Sequence, residues 1–429
     1  MVNVLWGIGG MVGLLAIAYL LSMDRKAIKA RTVAAALALQ VGFGVLVLFV
    51  PWGRDALAKA SEGVQAVIDS SKEGISFLFG PLIPKEGMVF ALQVLPVIVF
   101  FASLTAILFH LGILQKVVTW LGGALAKVLG TRHEESVNAA ANIFLGQTEA
   151  PLVIKPYLSR ISRSGLFAVM VGGLSTVAGS VLVGYALLGA KLDYLIAASF
   201  MAAPGALLMA KIILPEGAEP ATVPATAKAG DGVGTVDLDR GEPRAVAVDD
   251  DDDEDEVKHR NVIDAAAAGA SDGMKLALNI GAMLLAFISL IALINLLLGV
   301  VGGWFGADDL KFETILGYVM APIMTLIGVP WSEATDAGSY VGQKVVVNEF
   351  VAFSNFAPNI ADFSQRTQAI VTFALTGFAN LGSLGILLGG LGGMAPKRRG
   401  EIAELGLRAI LAATLANLMS AAIAGILLG

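Results

Sequence analysis

The chain contains no cysteine, so disulfides and thiolate metal sites are excluded. Histidine is almost as scarce. His110, His133 and His259 lie too far apart to form a His-rich metal site. Charged residues make up only 15% of the chain, where a soluble domain carries about 25%. No basic residue precedes the first apolar run in "MVNVLWGIGGMVGLLAIAYLLSMDRK". A secretory signal peptide needs a positive start and a small-residue cleavage site, so this segment reads as a retained first membrane helix. Catalytic signatures are missing too. "HEES" (133–136) is not a zinc motif, and "GIGGMVG" (7–13) lacks the lysine of a phosphate loop and suits helix packing. No nucleophile–base pair argues for an intramembrane hydrolase. The expected protein is not an enzyme and needs no cofactor.

What the 429 residues do contain is apolar: 56% are hydrophobic and the mean hydropathy is +0.77. A spanning helix needs about 20 such residues. Candidates cover about 4–21, 33–51, 89–114, 166–188, 194–214, 274–300, 368–391 and 405–428. Two more stretches, about 136–160 and 312–356, are apolar but broken by polar residues, Gly and Pro. The net charge of −6 comes from one run, "DDDDDEDE" (249–256); without it, 29 basic residues face 27 acidic ones. The run lies in a Pro-, Ala- and Gly-rich stretch, 215–260, which reads as a disordered solvated linker. Segment 52–88 has mixed charge and helical spacing of Leu57, Val64, Val67 and Ile68, as in a helix lying on the outer surface or packed on a neighbour.

Lysine and arginine in short loops set orientation. "DRKAIKAR" (24–31), "PKRRGE" (396–401) and the stretch 115–135 are expected in the cytoplasm. With eight spans, both termini then lie outside. The first interrupted stretch must enter and leave from the cytoplasm, the second from outside.

The two halves echo each other. "GGLSTVAGS" (172–180) aligns without gaps with "TGFANLGSL" (376–384), pairing Gly173 with Gly377, Thr176 with Asn380 and Gly179 with Ser383. Each follows an interrupted stretch that carries a glutamate, Glu149 in "GQTEAPL" and Glu349 in "VVNEFVAF". Such an order is the pattern of an inverted repeat with its site at the bilayer midplane. A charge at the centre of a membrane helix costs about 2.5–3.5 kcal/mol, and irregular backbone survives there only in protein or along a wet cavity. Glu149 and its neighbours should therefore line a cavity. Gly146 permits a turn, Thr148 is placed to cap a new half-helix, and Pro151 falls in that half-helix's first turn. Gln147 offers donor and acceptor together, a set suited to a planar polar ligand. Glu349, Asn380 and Ser383 offer carboxylate, amide and hydroxyl, which vicinal sugar hydroxyls would satisfy. Thr176, beside a broken turn, and Asn142 offer oxygens for a small cation such as Na+. For single residues such as Asn142 and Thr176, a helix-packing hydrogen bond is the plainer reading; for Glu149 it is an ion pair with Lys155.

These motifs, with "NVIDAAAAGASDGMKLALNIGAMLLAF" (261–287) and "GVPWSEA" (328–334), resemble those of the concentrative nucleoside transporters over about 1–214 and 258–429. The resemblance implies an all-α polytopic membrane protein. It has eight transmembrane helices, interfacial helices and two re-entrant helical hairpins in inverted repeats. It implies a homotrimer in the lipid bilayer of the bacterial inner membrane, moving a nucleoside such as uridine with Na+, or in some members H+, by an elevator motion. Nucleic acid is not an expected partner. Gln147, Thr148 and Glu149 would contact the base, and Glu349, Asn380 and Ser383 the ribose. Val181, Phe378 and Leu276 would give apolar contacts. Asn142, Leu145, Thr176 and Val177 would hold sodium. The corresponding division is 1–135 for N-terminal and interfacial helices, 136–214 for the first repeat, 215–260 for the linker, 261–310 for a scaffold helix and 311–429 for the second repeat.

Overall fold

The computed structural model describes residues 2–84, 89–217, 260–304, 306 and 310–428. The acidic run and nearly all of the linker 215–260 lie outside the described residues. Those described form helices and turns, with no strand among them. The first eleven helices are α1 (Val2–Leu20), α2 (Ala30–Leu48), α3 (Pro51–Phe79), α4 (Phe90–Gln93), α5 (Leu95–His110), α6 (Ile113–Leu129), α7 (His133–Ala141), α8 (Lys155–Leu158), α9 (Arg163–Ser175), α10 (Gly179–Leu188) and α11 (Leu192–Ile213). The remainder are α12 (Val262–Gly303), α13 (Phe312–Leu326), α14 (Trp331–Val346), α15 (Glu349–Phe356), α16 (Gln365–Leu375), α17 (Leu381–Met394) and α18 (Arg399–Leu427).

Six stretches among the described residues are long and apolar enough to cross a membrane: Ala30–Leu48, Phe90–His110, Arg163–Leu188, Leu192–Ile213, Val262–Gly303 and Pro396–Leu427. Val4–Leu20 and Leu381–Met394 are shorter apolar helices at two further expected spans. The broken pair α9–α10 and helix α11 form the buried centre, whereas α12 is mostly exposed. A helix that is apolar all round and exposed needs lipid or another protein against it.

The basic loops gather at one end. Lys211, at the end of α11, bonds Glu135 of α7 at 2.6 Å, Glu216 at 3.0 Å and Ser164 at 3.0 Å. Arg398 donates to the carbonyls of Leu158 and Ile161, and Arg163 pairs with Glu401 and Glu404. Ala27, Lys29, Arg132 and Glu216 line a common cavity of about 210 Å³. The chain starts at the other end: Trp6 donates to the Thr325 carbonyl, and a Cβ on Gly7 would collide with Ile426 near the C-terminus. Both termini therefore sit together, opposite the basic loops.

Two hairpins enter from these opposite ends. The first goes in along α7, turns over 142–149 and returns through a 3-10 turn (Ala150–Ile154) and α8 to the basic end. The second goes in along α14, turns at Val347 and Asn348 and returns through α15. Its two feet are tied by Ser364 donating to Glu333 at 2.9 Å. The apolar stretch 312–356 is thus two units. Its first, α13, is bent 118° from α14 and packs along it, with Gly317 near Thr335 and Gly342 near Leu316. A chain bent that far turns back, so this pair is not one crossing. The stretch 115–135 is largely helix α6, buried along Leu114, Val118, Gly122 and Leu129. Segment 52–88 holds α3, whose Ile68 and Ile75 pack on Val97 and Val183.

The gapless repeat alignment is not the structural one. Thr176 follows the end of α9 and Thr376 follows the end of α16, and each hydroxyl donates back four residues, to Gly172 and Thr372. The equivalent of Thr176 is therefore Thr376 rather than Asn380. The second break, Thr376–Asn380, is longer than Thr176–Ala178, and a gapless match cannot accommodate that.

Candidate functional site

The two helix breaks meet inside the molecule. Phe378 N–H donates to the Thr176 carbonyl at 3.2 Å. Asn417 of α18 donates from Nδ2 to the carbonyls of Ser175 and Thr376 at 2.7 and 2.9 Å. These are carbonyls that a helix end leaves without an internal partner, so one amide ties both breaks together. Gly377 makes the approach possible: a Cβ there would lie 2.8 Å from the Ser175 carbonyl oxygen, and its φ of 155° disfavours other residues.

Beside the breaks lies Glu349, 6% exposed. It opens α15, capped by Asn348, whose side chain accepts from Val351 N–H. A helix N-terminus favours a carboxylate. Glu349 accepts from Tyr185 Oη at 3.0 Å and from Asn380 Nδ2 at 2.9 Å. Asn380 is fixed in turn, its Oδ1 accepting from Ser383 N–H at 2.8 Å as the cap of α17. Tyr185 stacks on Phe353 at 4.4 Å and meets Phe350 edge-on at 5.2 Å. Glu349 and Asn380 are therefore joined side chain to side chain, and Ser383 joins them through its backbone N–H rather than its hydroxyl.

The first hairpin brings a different set. Glu149 is exposed on the surface of the single chain, and its carboxylate accepts weakly from Gly146 N–H at 3.4 Å in a part-buried contact. Asp272 of α12 is within electrostatic reach, which puts Glu149 toward the helix that carries Leu276. Gln147 is buried and its Oε1 has no partner among the described residues. Thr148 packs on α17, where a Cβ on Gly390 would come within 2.7 Å of its methyl. Thr148 does not cap the return arm: that arm starts at Ala150, without a side-chain cap, and Pro151 falls in its first turn. Lys155 is exposed and forms no ion pair with Glu149 among the described residues. Val181 is buried on α10, while Phe378 and Leu276 are half-buried. Glu149 and Glu349 share no hydrogen-bond partner among the described residues.

The oxygens suited to a cation lie where hairpin and break touch. Asn142 is fully buried; its Nδ2 donates to the Asn138 carbonyl at 2.9 Å and its Oδ1 has no partner among the described residues. The carbonyls of Leu145 and Val177 accept no hydrogen bond among the described residues. Thr176 Oγ1 spends its proton on Gly172 at 2.9 Å and keeps its lone pairs. All four residues are buried, and each keeps an oxygen with spare acceptor capacity.

Three residues of this centre did not stand out in the sequence: Lys344, Asn417 and Tyr185. Lys344, fully buried, donates to the Ala374 carbonyl and Asn417 Oδ1, both at 2.7 Å. A lysine in an apolar hairpin was itself a signal. Asn417 and Tyr185 sit in ordinary helix sequence and gave none.

Family models described as Na+ dependent nucleoside transporter N-terminus, nucleoside recognition, and Na+ dependent nucleoside transporter C-terminus match residues 9–82, 91–192 and 194–425. The chain is 54% identical to an uncharacterized transporter, YutK, of Bacillus subtilis, over 99% of both chains. It is 46% identical to the nucleoside permease NupC of Helicobacter pylori, over 99% of this chain and 98% of that one. Among solved structures, CNTnw in an inward-facing substrate-bound state superposes with a TM-score of 0.89 at 51% identity, covering 99% of this chain and 98% of that one.

Proposed function

This chain belongs to the Na+ dependent nucleoside transporter family, and from that premise we propose that it imports nucleosides such as uridine across the bacterial inner membrane, driven by the sodium gradient. The observation that carries the reading is the buried Glu349–Asn380 cluster at the meeting of two helix breaks. A carboxylate that accepts and an amide that both donates and accepts match the vicinal hydroxyls of ribose. Gln147, with an orphan carbonyl oxygen, would read the base from the other hairpin with Thr148 and Glu149. Val181, Leu276 and Phe378 would supply its apolar contacts.

Sodium would be held by Asn142, Leu145, Thr176 and Val177, on the very break whose Thr176 carbonyl accepts from Phe378 N–H. Cation and substrate then order the same backbone, which gives coupling a physical route. Residues 136–214 and 311–429 would move together against 1–135 and 261–310, as an elevator with the basic loops in the cytoplasm. The exposed apolar residues of α12, Leu278, Leu285 and Leu296 among them, support a lipid-embedded homotrimer.

Labelled uridine uptake into proteoliposomes, with and without an inward Na+ gradient, tests this. Sodium-stimulated accumulation is expected. Uptake driven only by an inward proton gradient would move the coupling to H+, with the exposed Glu149 as the proton's carrier. Binding without uptake would make the protein a sensor.

A further inference from the structure

Lys344 is fully buried, and Glu349 lies within its electrostatic reach, but no carboxylate stands at ion-pair distance among the described residues; its ammonium is held by a carbonyl and an amide oxygen, Ala374 and Asn417 Oδ1. Burying an ammonium is costly unless its surroundings act as ligands. Ala374 lies in the last turn of α16, the end of a half-helix, where carbonyls carry partial negative charge and cations are favoured. The first repeat also sets a polar hairpin residue against the end of its half-helix, α9, where a Cβ on Gly172 would come within 3.3 Å of the Asn142 amide. There the hairpin residue is Asn142 with its orphan Oδ1, and the break residue is Thr176, bonded back to Gly172 as Thr376 is bonded back to Thr372.

We propose that the Lys344 ammonium is a tethered cation that fills, in the second repeat, the seat equivalent to the one a free cation takes in the first. The proposal rests on the sodium reading of the first hairpin. Three observations carry it. Both seats lie between the inward arm of a hairpin and the end of the first half of a broken helix. Equivalent threonines close both helix ends in the same way. Asn417 physically joins them, accepting from Lys344 while donating to Ser175 at one break and Thr376 at the other. The protein thus carries one cation as its own side chain and takes the other from solution. Lys344 acts through Asn417 and the breaks, so it is a positioning residue.

Lys344→Ala would vacate the second seat and leave behind the two oxygens that hold the ammonium, from Ala374 and Asn417. Lys344→Met would fill it with an uncharged chain of similar length. Purified proteins are melted in NaCl and in choline chloride at equal ionic strength, and uridine uptake is measured against Na+ concentration. The expected result is that Lys344→Ala gains sodium-dependent thermal stabilisation beyond the wild type, and that its Hill coefficient for sodium rises from about one toward about two, the number of open seats. Lys344→Met shows neither gain. A folded Lys344→Ala protein with wild-type sodium dependence in both assays overturns the proposal. Should that variant not fold, the ratio of 22Na+ to uridine entering wild-type proteoliposomes decides: one sodium per uridine supports a permanently filled second seat, and two overturns it. A wild type without any sodium coupling would refute the coupling reading instead, while the melting comparison still judges the vacated seat.

Discussion

Glu349 holds a costly position because two neutral donors, Tyr185 and Asn380, point at it. A ribose replacing either would still find an acceptor that is already desolvated and fixed by its helix cap. Hydrogen bonds to a charged group contribute about 1.5–3 kcal/mol, which is about 10- to 100-fold in affinity. Glu349→Gln is therefore expected to weaken uridine by that factor and deoxyribonucleoside analogues less, measured by competition for uptake. A uniform loss across analogues would place Glu349 in folding or coupling instead. Thr176→Val keeps shape and removes one oxygen. The half-saturating Na+ concentration is expected to rise about five- to tenfold, the loss of one neutral contact of about 1 kcal/mol, with the response to uridine concentration at saturating Na+ little changed. The residue types that would meet a nucleoside were legible, because a carboxylate or amide in an apolar run is conspicuous whatever surrounds it. Their partners were not.

Among the elements, the breaks are the decisive feature. Each half-helix ends with a threonine bonded back into its own last turn, and the carbonyls of Ser175, Thr176 and Thr376, left without helical partners at the breaks, accept from Asn417 and Phe378. Gly377→Ala would push a methyl into the Ser175 carbonyl. Such overpacking costs about 1–3 kcal/mol, so a lower thermal midpoint in detergent is expected, with nucleoside no longer stabilising the protein. At the foot of the first hairpin, burial raises the Glu216 carboxyl, but the charge and hydrogen bond of Lys211, Arg132 and Ser162 outweigh it and hold the pKa below its ordinary value. A carboxyl depressed in the folded state stabilises the fold above its unfolded pKa, and that contribution disappears as pH falls through the folded value. Glu216→Gln should therefore melt below wild type at pH 7, and the gap should close as pH drops below about 4. An undiminished gap at low pH would show that Glu216 acts by packing. The gapless repeat in the sequence located both breaks but paired Thr176 with Asn380 where the helix ends pair it with Thr376.

At the scale of the whole molecule, the loops rich in lysine and arginine converge on one end and both termini on the other. Two hairpins entering from opposite ends follow from this, the pattern of an inverted repeat. Because the chain has no cysteine, single-cysteine variants report topology directly. Lys26→Cys and Lys397→Cys, at exposed positions of the basic end, should react with an impermeant maleimide only after cells are permeabilised. Asp362→Cys, at the foot of the second hairpin, should react in spheroplasts without permeabilisation. The reverse pattern would invert the orientation.

The sequence by itself determined the class of protein, where most of its long apolar helices lie and the opposed entry of its hairpins. It could do so because the bilayer penalises every charge and every unpaired backbone group locally, so exceptions stand out residue by residue. Only the tertiary structure decided which exceptions touch. Tyr185 reaches Glu349, Asn417 reaches Ser175 across 242 residues of chain, and Lys344 takes its place between them. It also separated α13 from the hairpin it precedes. Hydrogen bonds between distant segments leave no periodicity or spacing along the chain, because they depend on how helices are packed and not on what each helix contains.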